Sequence, residues 1–240
     1  MIPKEELLRE KFRNGLPMNI NKKEQKLLNK DYPVQRIIGF CVMQDVKVFL
    51  NKFTLIPRYE TEEVVLKSYE FLNKDSEVLD LGTGSGFIGL AIKKNINCFV
   101  DCSDKSFFAL HQAKKNAKYN HLKINFIRSN WLKKISKQYD LIISNPPYLD
   151  KNTIAKENRP KYDPYFSLYA KNKGLSDYQK ILKNITKNLK PEGKVIFEID
   201  PFISKWFKQN YPDSLIFQDI NGKERICVLT KNQIEQKNSI

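Results

Sequence analysis

Histidine is nearly missing from this chain: two occur in 240 residues, His111 and His121. Both fall in or just after a helical pattern with polar neighbours and read as surface residues, so neither a zinc centre nor a His-based nucleophile is expected. Four cysteines, Cys41, Cys98, Cys102 and Cys227, show no metal-ligand spacing. Cys98 and Cys102 sit at or inside an apolar strand pattern, which reads as buried free thiols in a reducing compartment. No apolar run approaches the ~20 residues a membrane span needs, and Lys4, Glu5 and Glu6 interrupt any secretory leader at the front. A soluble, cytoplasmic protein without a metal or an internal repeat is expected. Acidic residues are also short, 27 against 42 basic ones, for a net charge of +15. Such an excess suits a phosphate-bearing surface, yet only seven of the 42 are arginine, the residue that bidentate readout of bases and phosphates prefers. The charge reads either as bias in a Lys- and Asn-rich chain or as loose steering toward the ribosome or an acidic protein.

What is present is narrower in meaning. Asn145-Pro146-Pro147-Tyr148 follows the apolar run Tyr139 to Ser144. Two prolines fix φ and remove N–H donors, so the chain stops rigidly at a strand end. The Asn145 side-chain carbonyl and the Pro146 main-chain carbonyl can accept both hydrogens of a planar NH2 group while Tyr148 covers its flat face, a device for methylating an amide or an exocyclic amine. The plain alternative is a strand-ending turn.

Upstream, Ser76 to Leu81 reads as a buried strand that runs into Gly82-Thr83-Gly84-Ser85-Gly86 and then the apolar helix pattern Phe87 to Ile92. This is the first βα unit of a nucleotide-type fold. A dinucleotide fingerprint wants a glycine at position 87, where Phe87 stands. The Gly-x-Gly-x-Gly turn preceded by the acidic Asp80 is instead the pattern of S-adenosylmethionine enzymes. Asp104, after the short strand Cys98 to Ser103 and just before a helical pattern from Phe107 to Tyr119, is placed to accept both ribose hydroxyls. Its rivals are a simple helix cap on the same residue and Asp101 as the binding carboxylate.

Taken with Ala113-x-x-Asn116-Ala117, Ser129-Asn130-Trp131, Leu55-Ile56-Pro57-Arg58-Tyr59-Glu60-Thr61-Glu62, Pro33-x-Gln35-x-Ile37-x-Gly39, Asp163-Pro164, Gly174-Leu175, Tyr178, Phe197-Glu198-Ile199 and Asp219 with Gly222 and Arg225, these motifs resemble the release-factor glutamine methyltransferases, the HemK/PrmC family, over about residues 31 to 230. The resemblance implies an α/β class I methyltransferase fold, Rossmann-like, with a seven-stranded mostly parallel sheet and helices on both faces. It also implies methyl transfer from S-adenosylmethionine to the glutamine amide nitrogen of the Gly-Gly-Gln tip of a peptide chain release factor. By position, Asp80, Gly82, Thr83, Gly84, Ser85, Gly86, Asp104, Asn130, Trp131 and Asn145 would hold the cofactor. Asn145, Pro146, Pro147 and Tyr148 would hold the glutamine, with Asn145, Pro146 and Tyr148 acting at the reacting nitrogen. Trp131 reads either as the adenine's flank or as a filler. Departures are Asn130 where relatives often have Asp, Tyr59 where proline is usual, and Asp200 where glycine is common. An adenine methyltransferase acting on nucleic acid would use the same Asn-Pro-Pro-Tyr turn.

The expected layout begins with a short helical segment over 1–44, at most two helices at Ile2 to Arg13 and Asn21 to Asn29, where relatives carry several. A methyltransferase domain over 45–240 follows, opened by a hairpin-like stretch over 45–57 that turns at Asn51-Lys52. Later elements are a third strand Lys123 to Arg128, a long loop Leu149 to Lys173, a helix Leu175 to Leu189, a turn Lys190 to Gly193 and a strand Lys194 to Ile199. Strands Ser214 to Asp219 and Arg225 to Thr230 close the sheet, and 231–240 reads as a frayed tail. In the loop, Tyr162, Tyr165, Phe166 and Tyr169 either close over a substrate or pack the loop onto the sheet.

Overall fold

Continuous runs of Val, Leu and Ile become the parallel strands of one central sheet, because strands buried on both faces have no use for polar alternation. The structure, a computed structural model, describes residues 3–150, 152 and 162–239. A hairpin of β1 (Phe40–Met43) and β2 (Val46–Phe49) precedes the sheet, which comprises β3 (Glu77–Leu81), β4 (Phe99–Asp104), β5 (Asn125–Arg128), β6 (Tyr139–Ser144), β7 (Leu189–Glu198), β8 (Leu215–Gln218) and β9 (Glu224–Thr230). Its strand order is β5-β4-β3-β6-β7-β9-β8, with β9 antiparallel to both of its neighbours and the other pairs parallel. The class I methyltransferase fold and its seven mostly parallel strands are thus as the resemblance implies.

Helices α1 (Lys4–Arg13), α2 (Lys22–Leu28) and α3 (Val34–Ile38) gather on a small core of Leu7, Leu28 and Val34. One face of the sheet is covered by α4 (Tyr59–Tyr69), α5 (Phe87–Ile96) and α6 (Phe107–Tyr119), packed on Val78, Leu141, Ile143 and Ile196. The other takes α8 (Ser176–Leu182), α9 (Pro201–Asn210) and α10 (Lys231–Asn238), packed on Leu79, Ile142, Val195 and Phe197; a short α7 (Tyr165–Leu168) lies ahead of α8. Odd and even strand positions therefore feed two separate cores.

Several expectations are corrected. The hairpin spans residues 40–49 and turns at Gln44 and Asp45, whose φ of 48° and 58° make the two-residue turn that matches strand twist. Asn51 instead accepts the Phe53 N–H at 2.8 Å, a side-chain turn beyond the hairpin. The boundary expected at residue 44 accordingly falls inside the hairpin. The helix expected over 175–189 stops at Leu182, and a 3₁₀ turn Ile185–Asn188 follows, where buried Asn188 donates to the carbonyls of Ile135 and Lys137. Lys190 to Gly193 is a bulge within β7, since Leu189 already pairs with Tyr139 before Lys194 pairs with Leu141. The expected frayed tail is helix α10, opened by a Thr230–Gln233 capping box and anchored by Ile234, which is fully buried. The third strand starts at Asn125 rather than Lys123. Of the expected loop, residues 151 and 153–161 lie outside the described residues.

Candidate active site

The chain runs from β3 outward to β4 and β5, then returns to place β6 on the other side of β3. Such a reversal opens a crevice beyond the carboxyl ends of the two strands, and ligands of open α/β sheets bind there. The glycine turn follows β3 and Asn145 follows β6, so the two sequence motifs meet at this point. Ser144 Oγ donates to the Leu81 carbonyl at 2.6 Å and ties the strand ends together.

The glycine turn is held from three sides. Gly82 and Thr83 donate N–H bonds to the Ser103 carbonyl at 2.8 and 2.9 Å, Gly84 donates to Asp104 Oδ2 at 3.0 Å, and Asn116 Nδ2 donates to the Ser85 carbonyl at 2.8 Å. Gly82, Gly84 and Gly86 all have positive φ, and a Cβ on Gly82 would meet the Trp131 ring at 3.1 Å. Asp80 lies beneath the turn, fully buried, accepting from Thr83 Oγ1 at 2.5 Å and the Gly89 N–H at 2.9 Å. Burial pushes its carboxyl up to about 6. It clasps the loop to α5 and does not line the cleft.

A cleft opens over this turn, lined by Gly82 to Ser85, Asp104, Trp131, Asn145 and Pro147, with Phe53, Leu55 and Phe166 as apolar walls. Asp104 Oδ1 accepts the Ser106 N–H at 2.8 Å, and burial raises its carboxyl above the usual value. Asp101, the rival carboxylate, is committed elsewhere, to Tyr139 at 2.8 Å and Asn125 at 3.2 Å. Trp131 takes a left-handed φ of 51° and donates Nε1–H to Asp177 at 3.2 Å. Asn130 is exposed and lies out of the cleft, while neighbouring Ser129 lines it, so the structure does not bring Asn130 to the residues expected to hold the cofactor. Gly86 ends the turn and opens α5 without lining the cleft. Bare backbone at the turn, a half-buried carboxylate and flat apolar walls fit an adenosyl group with an amino-acid tail.

A second pocket joins the first through Leu55, Asn145 and Ser167 and is lined by Arg58, Glu60, Tyr148, Glu198 and Arg225. Asn145 therefore stands in both. Its Nδ2 donates to Thr61 Oγ1 at 3.3 Å, and among the described residues no donor reaches Oδ1. Pro146 is buried between them and lines neither pocket; its carbonyl accepts from no backbone N–H among the described residues. Burial pushes the Tyr148 phenol up. Asp219 fixes the charged wall, accepting the N–H groups of Asn221 and Lys223 and the Arg225 guanidinium at 3.2 Å. Across the mouth, Asp163 accepts from Arg36 at 3.0 Å and Arg58 at 2.6 Å, tying α3 and the stretch before α4 to the loop after β6.

Of the four loop aromatics, Phe166 alone lines the cleft. Tyr162 packs at a tilt against Tyr32 and donates to the Lys30 carbonyl, and Tyr165 packs at a tilt against Tyr169 with ring centres 4.7 Å apart. Tyr162 thus packs onto the N-terminal helical segment rather than onto the sheet. Thr61, Glu198, Phe53 and Leu55 escaped the sequence reading as site residues, although Leu55, Thr61 and Glu198 lay inside motifs quoted for the resemblance.

Residues 63–158 match the family described as Methyltransferase small domain. The chain is 36% identical over 230 residues to the release factor glutamine methyltransferase of Lactococcus lactis, covering 92% of this chain and 85% of that protein. It is 37% identical over 216 residues to the protein of the same description from Flavobacterium psychrophilum, covering 83% and 75%. A solved methyltransferase from Pyrococcus furiosus has a TM-score of 0.60 at 18% identity, covering 88% of this chain and 99% of that one. A Thermus thermophilus 16S rRNA methyltransferase in complex with AdoMet and guanosine has a TM-score of 0.57 at 14% identity, covering 80% and 49%. These two structures speak for the fold.

Proposed function

The chain belongs to the release factor glutamine methyltransferase family, and we propose that its two joined pockets carry that family's reaction. It is an S-adenosylmethionine-dependent enzyme that methylates the side-chain amide nitrogen of the glutamine in the Gly-Gly-Gln motif of a peptide chain release factor. The observation that carries the assignment of residues is Asn145, which lines both pockets and keeps Oδ1 unengaged among the described residues.

Gly82 to Ser85, Asp104 and Trp131, which line the first cleft, would hold the cofactor, with Asp104 placed to take the ribose hydroxyls. When bound, S-adenosylmethionine supplies a methyl carbon made electrophilic by its positive sulfur; the nitrogen's electron pair forms the C–N bond as the C–S bond breaks and leaves its pair on sulfur. A glutamine amide nitrogen is a poor nucleophile because its lone pair is delocalised into the carbonyl. Asn145 Oδ1 and the Pro146 carbonyl accept its two hydrogens and push electron density back onto nitrogen as positive charge develops, a help that grows toward the transition state. Pro147 and Tyr148 complete the wall that keeps the amide flat. No general base is needed before transfer, since the extra proton leaves to water afterwards. Most of the catalysis is positioning.

We place the enzyme in the cytoplasm beside its release factor. In support, no helix among the described residues is long and apolar enough to cross a membrane, and the four cysteines are free and buried. The net charge of +15 supports a transient approach to the ribosome. The test is incubation with labelled cofactor and a release factor, followed by mass mapping of the modified residue. Asn145→Ala is expected to lower turnover by ~10²–10³, far more than it weakens cofactor binding read by calorimetry. Turnover within twofold of the parent would remove Asn145 from the mechanism.

A further inference from the structure

Beside Asn145, a threonine at the edge of the first cleft and a buried carboxylate at the edge of the second pocket stand in line. Thr61 Oγ1 accepts from Asn145 Nδ2 at 3.3 Å and donates to Glu198 Oε2 at 2.7 Å. Thr61 lies in the first turn of α4 and Glu198 closes β7; they are 5% and 1% exposed. A hydroxyl has one hydrogen. While that hydrogen is committed to an ionised carboxylate, Thr61 can only accept, so its other neighbour must offer an N–H. The reversed amide would set the Asn145 carbonyl against the hydroxyl's lone pairs and aim two donors at the substrate's own NH2.

We propose that Thr61 and Glu198 are positioning residues that hold the Asn145 amide with its nitrogen inward, so that its oxygen meets the NH2 group of the substrate glutamine. This rests on the reading of Asn145 as an acceptor for that amide.

The surroundings make the device sensitive to pH. Glu198 feels Arg225 on β9, Arg58 ahead of α4 and Glu60 on α4, with the phenols of Tyr148 in the turn and Tyr178 on α8 close by. Burial outweighs the two cations and raises its carboxyl to about 7. As pH falls through that value, a protonated Glu198 can donate to Thr61, which then turns its own hydrogen on Asn145 and draws the amide oxygen inward. The acceptor is lost on the acid side.

Thr61→Val keeps the shape and removes the hydroxyl, and Thr61→Ser restores it. In Thr61→Val, kcat for release-factor methylation is expected to fall on the order of tenfold, with cofactor affinity and thermal midpoint near the parent's; Thr61→Ser recovers kcat. The parent's kcat falls below about pH 7, whereas Thr61→Val has a flat profile there. In the protein without cofactor, the Asn145 side-chain amide resonances, assigned by their loss in Asn145→Ala, shift through the same pH window in the parent and stay still in Thr61→Val. Should Thr61→Val fail to fold, Thr61→Ala, which adds no methyl group, takes its place in each measurement. A valine or alanine variant with the parent's kcat, or with the parent's acid limb, overturns the relay. If Asn145→Ala itself keeps the parent's turnover, the reading of Asn145 fails instead, whatever Thr61 does.

Discussion

Asp104 was open to two readings, a helix-opening cap and a ribose acceptor; the cap of α6 is Ser106, whose hydroxyl accepts the Ala109 N–H at 3.2 Å, so the ribose reading is the one proposed for Asp104. Oδ1 takes the Ser106 N–H and Oδ2 the Gly84 N–H, so the carboxylate pins the glycine turn at the same time as it lines the cleft. Each oxygen keeps a further lone pair for a hydroxyl. Asp104→Ala is expected to weaken S-adenosylmethionine binding by on the order of 1.5–3 kcal/mol, read by isothermal titration, with a smaller loss of thermal stability. Unchanged affinity would leave this residue a turn-former only. Asp104 and Asn145 were legible in the sequence because each ends a strand, where glycine, proline and a polar residue write a local signature. Thr61 and Glu198 had none as an orienting pair: one is an ordinary helix residue and the other an ordinary strand-end acid, and only the crossing of α4 over β7 makes them partners. Asp80 misled for the opposite reason. Its place before the turn is conspicuous, yet strand alternation points its side chain down onto α5 rather than into the cleft.

At the scale of elements, the loop after β6 returns to press on the Asn-Pro-Pro-Tyr turn. Leu149 donates its N–H to the Leu168 carbonyl at 2.9 Å and accepts the Ala170 N–H at 3.0 Å, and Gly174, at φ 90°, lies so close that a Cβ there would overlap the Tyr148 carbonyl oxygen. Gly174→Ala is expected to cost on the order of 1–2 kcal/mol for the left-handed backbone alone, plus whatever displaces Tyr148. The thermal midpoint should fall, and KM for the release factor should rise more than KM for the cofactor, because Tyr148 faces the second pocket. A variant with the parent's midpoint and both KM values would show that the return merely rests beside the turn. Strands β3 to β6 and helix α6 were readable from apolar runs and periodicity, to within a residue or two at the ends, and α5 from its start, though it runs four residues past Ile92 to Ile96. The hairpin turn was not, since Gln44-Asp45 lacks the glycine or asparagine that usually marks it. Nor was α10, whose mostly polar residues carry a single buried anchor, Ile234, and whose helicity depends on packing against β7 rather than on its own pattern.

For the molecule as a whole, the question is whether +15 net charges act on anything. The catalytic pockets need little of it: Arg58 and Arg225 are each paired with an aspartate, Asp163 and Asp219. The excess is chiefly lysine, whose mobile, strongly hydrated ammonium suits attraction at a distance better than fixed contact. Long-range attraction speeds encounter and is screened by salt beyond roughly 10 Å at 0.1 M. If the charge steers an acidic surface of the release factor, KM for the whole factor should rise steeply with ionic strength. A short Gly-Gly-Gln peptide offers only the chemistry of the pockets, so its methylation should be slow at low salt and change little as salt is added. That is the expected outcome, measured as kcat/KM for the two substrates across a salt series. Equal, flat responses would mark the charge as a matter of composition and leave the residues around the second pocket, with the loop that covers it, to recruit the factor by contact alone.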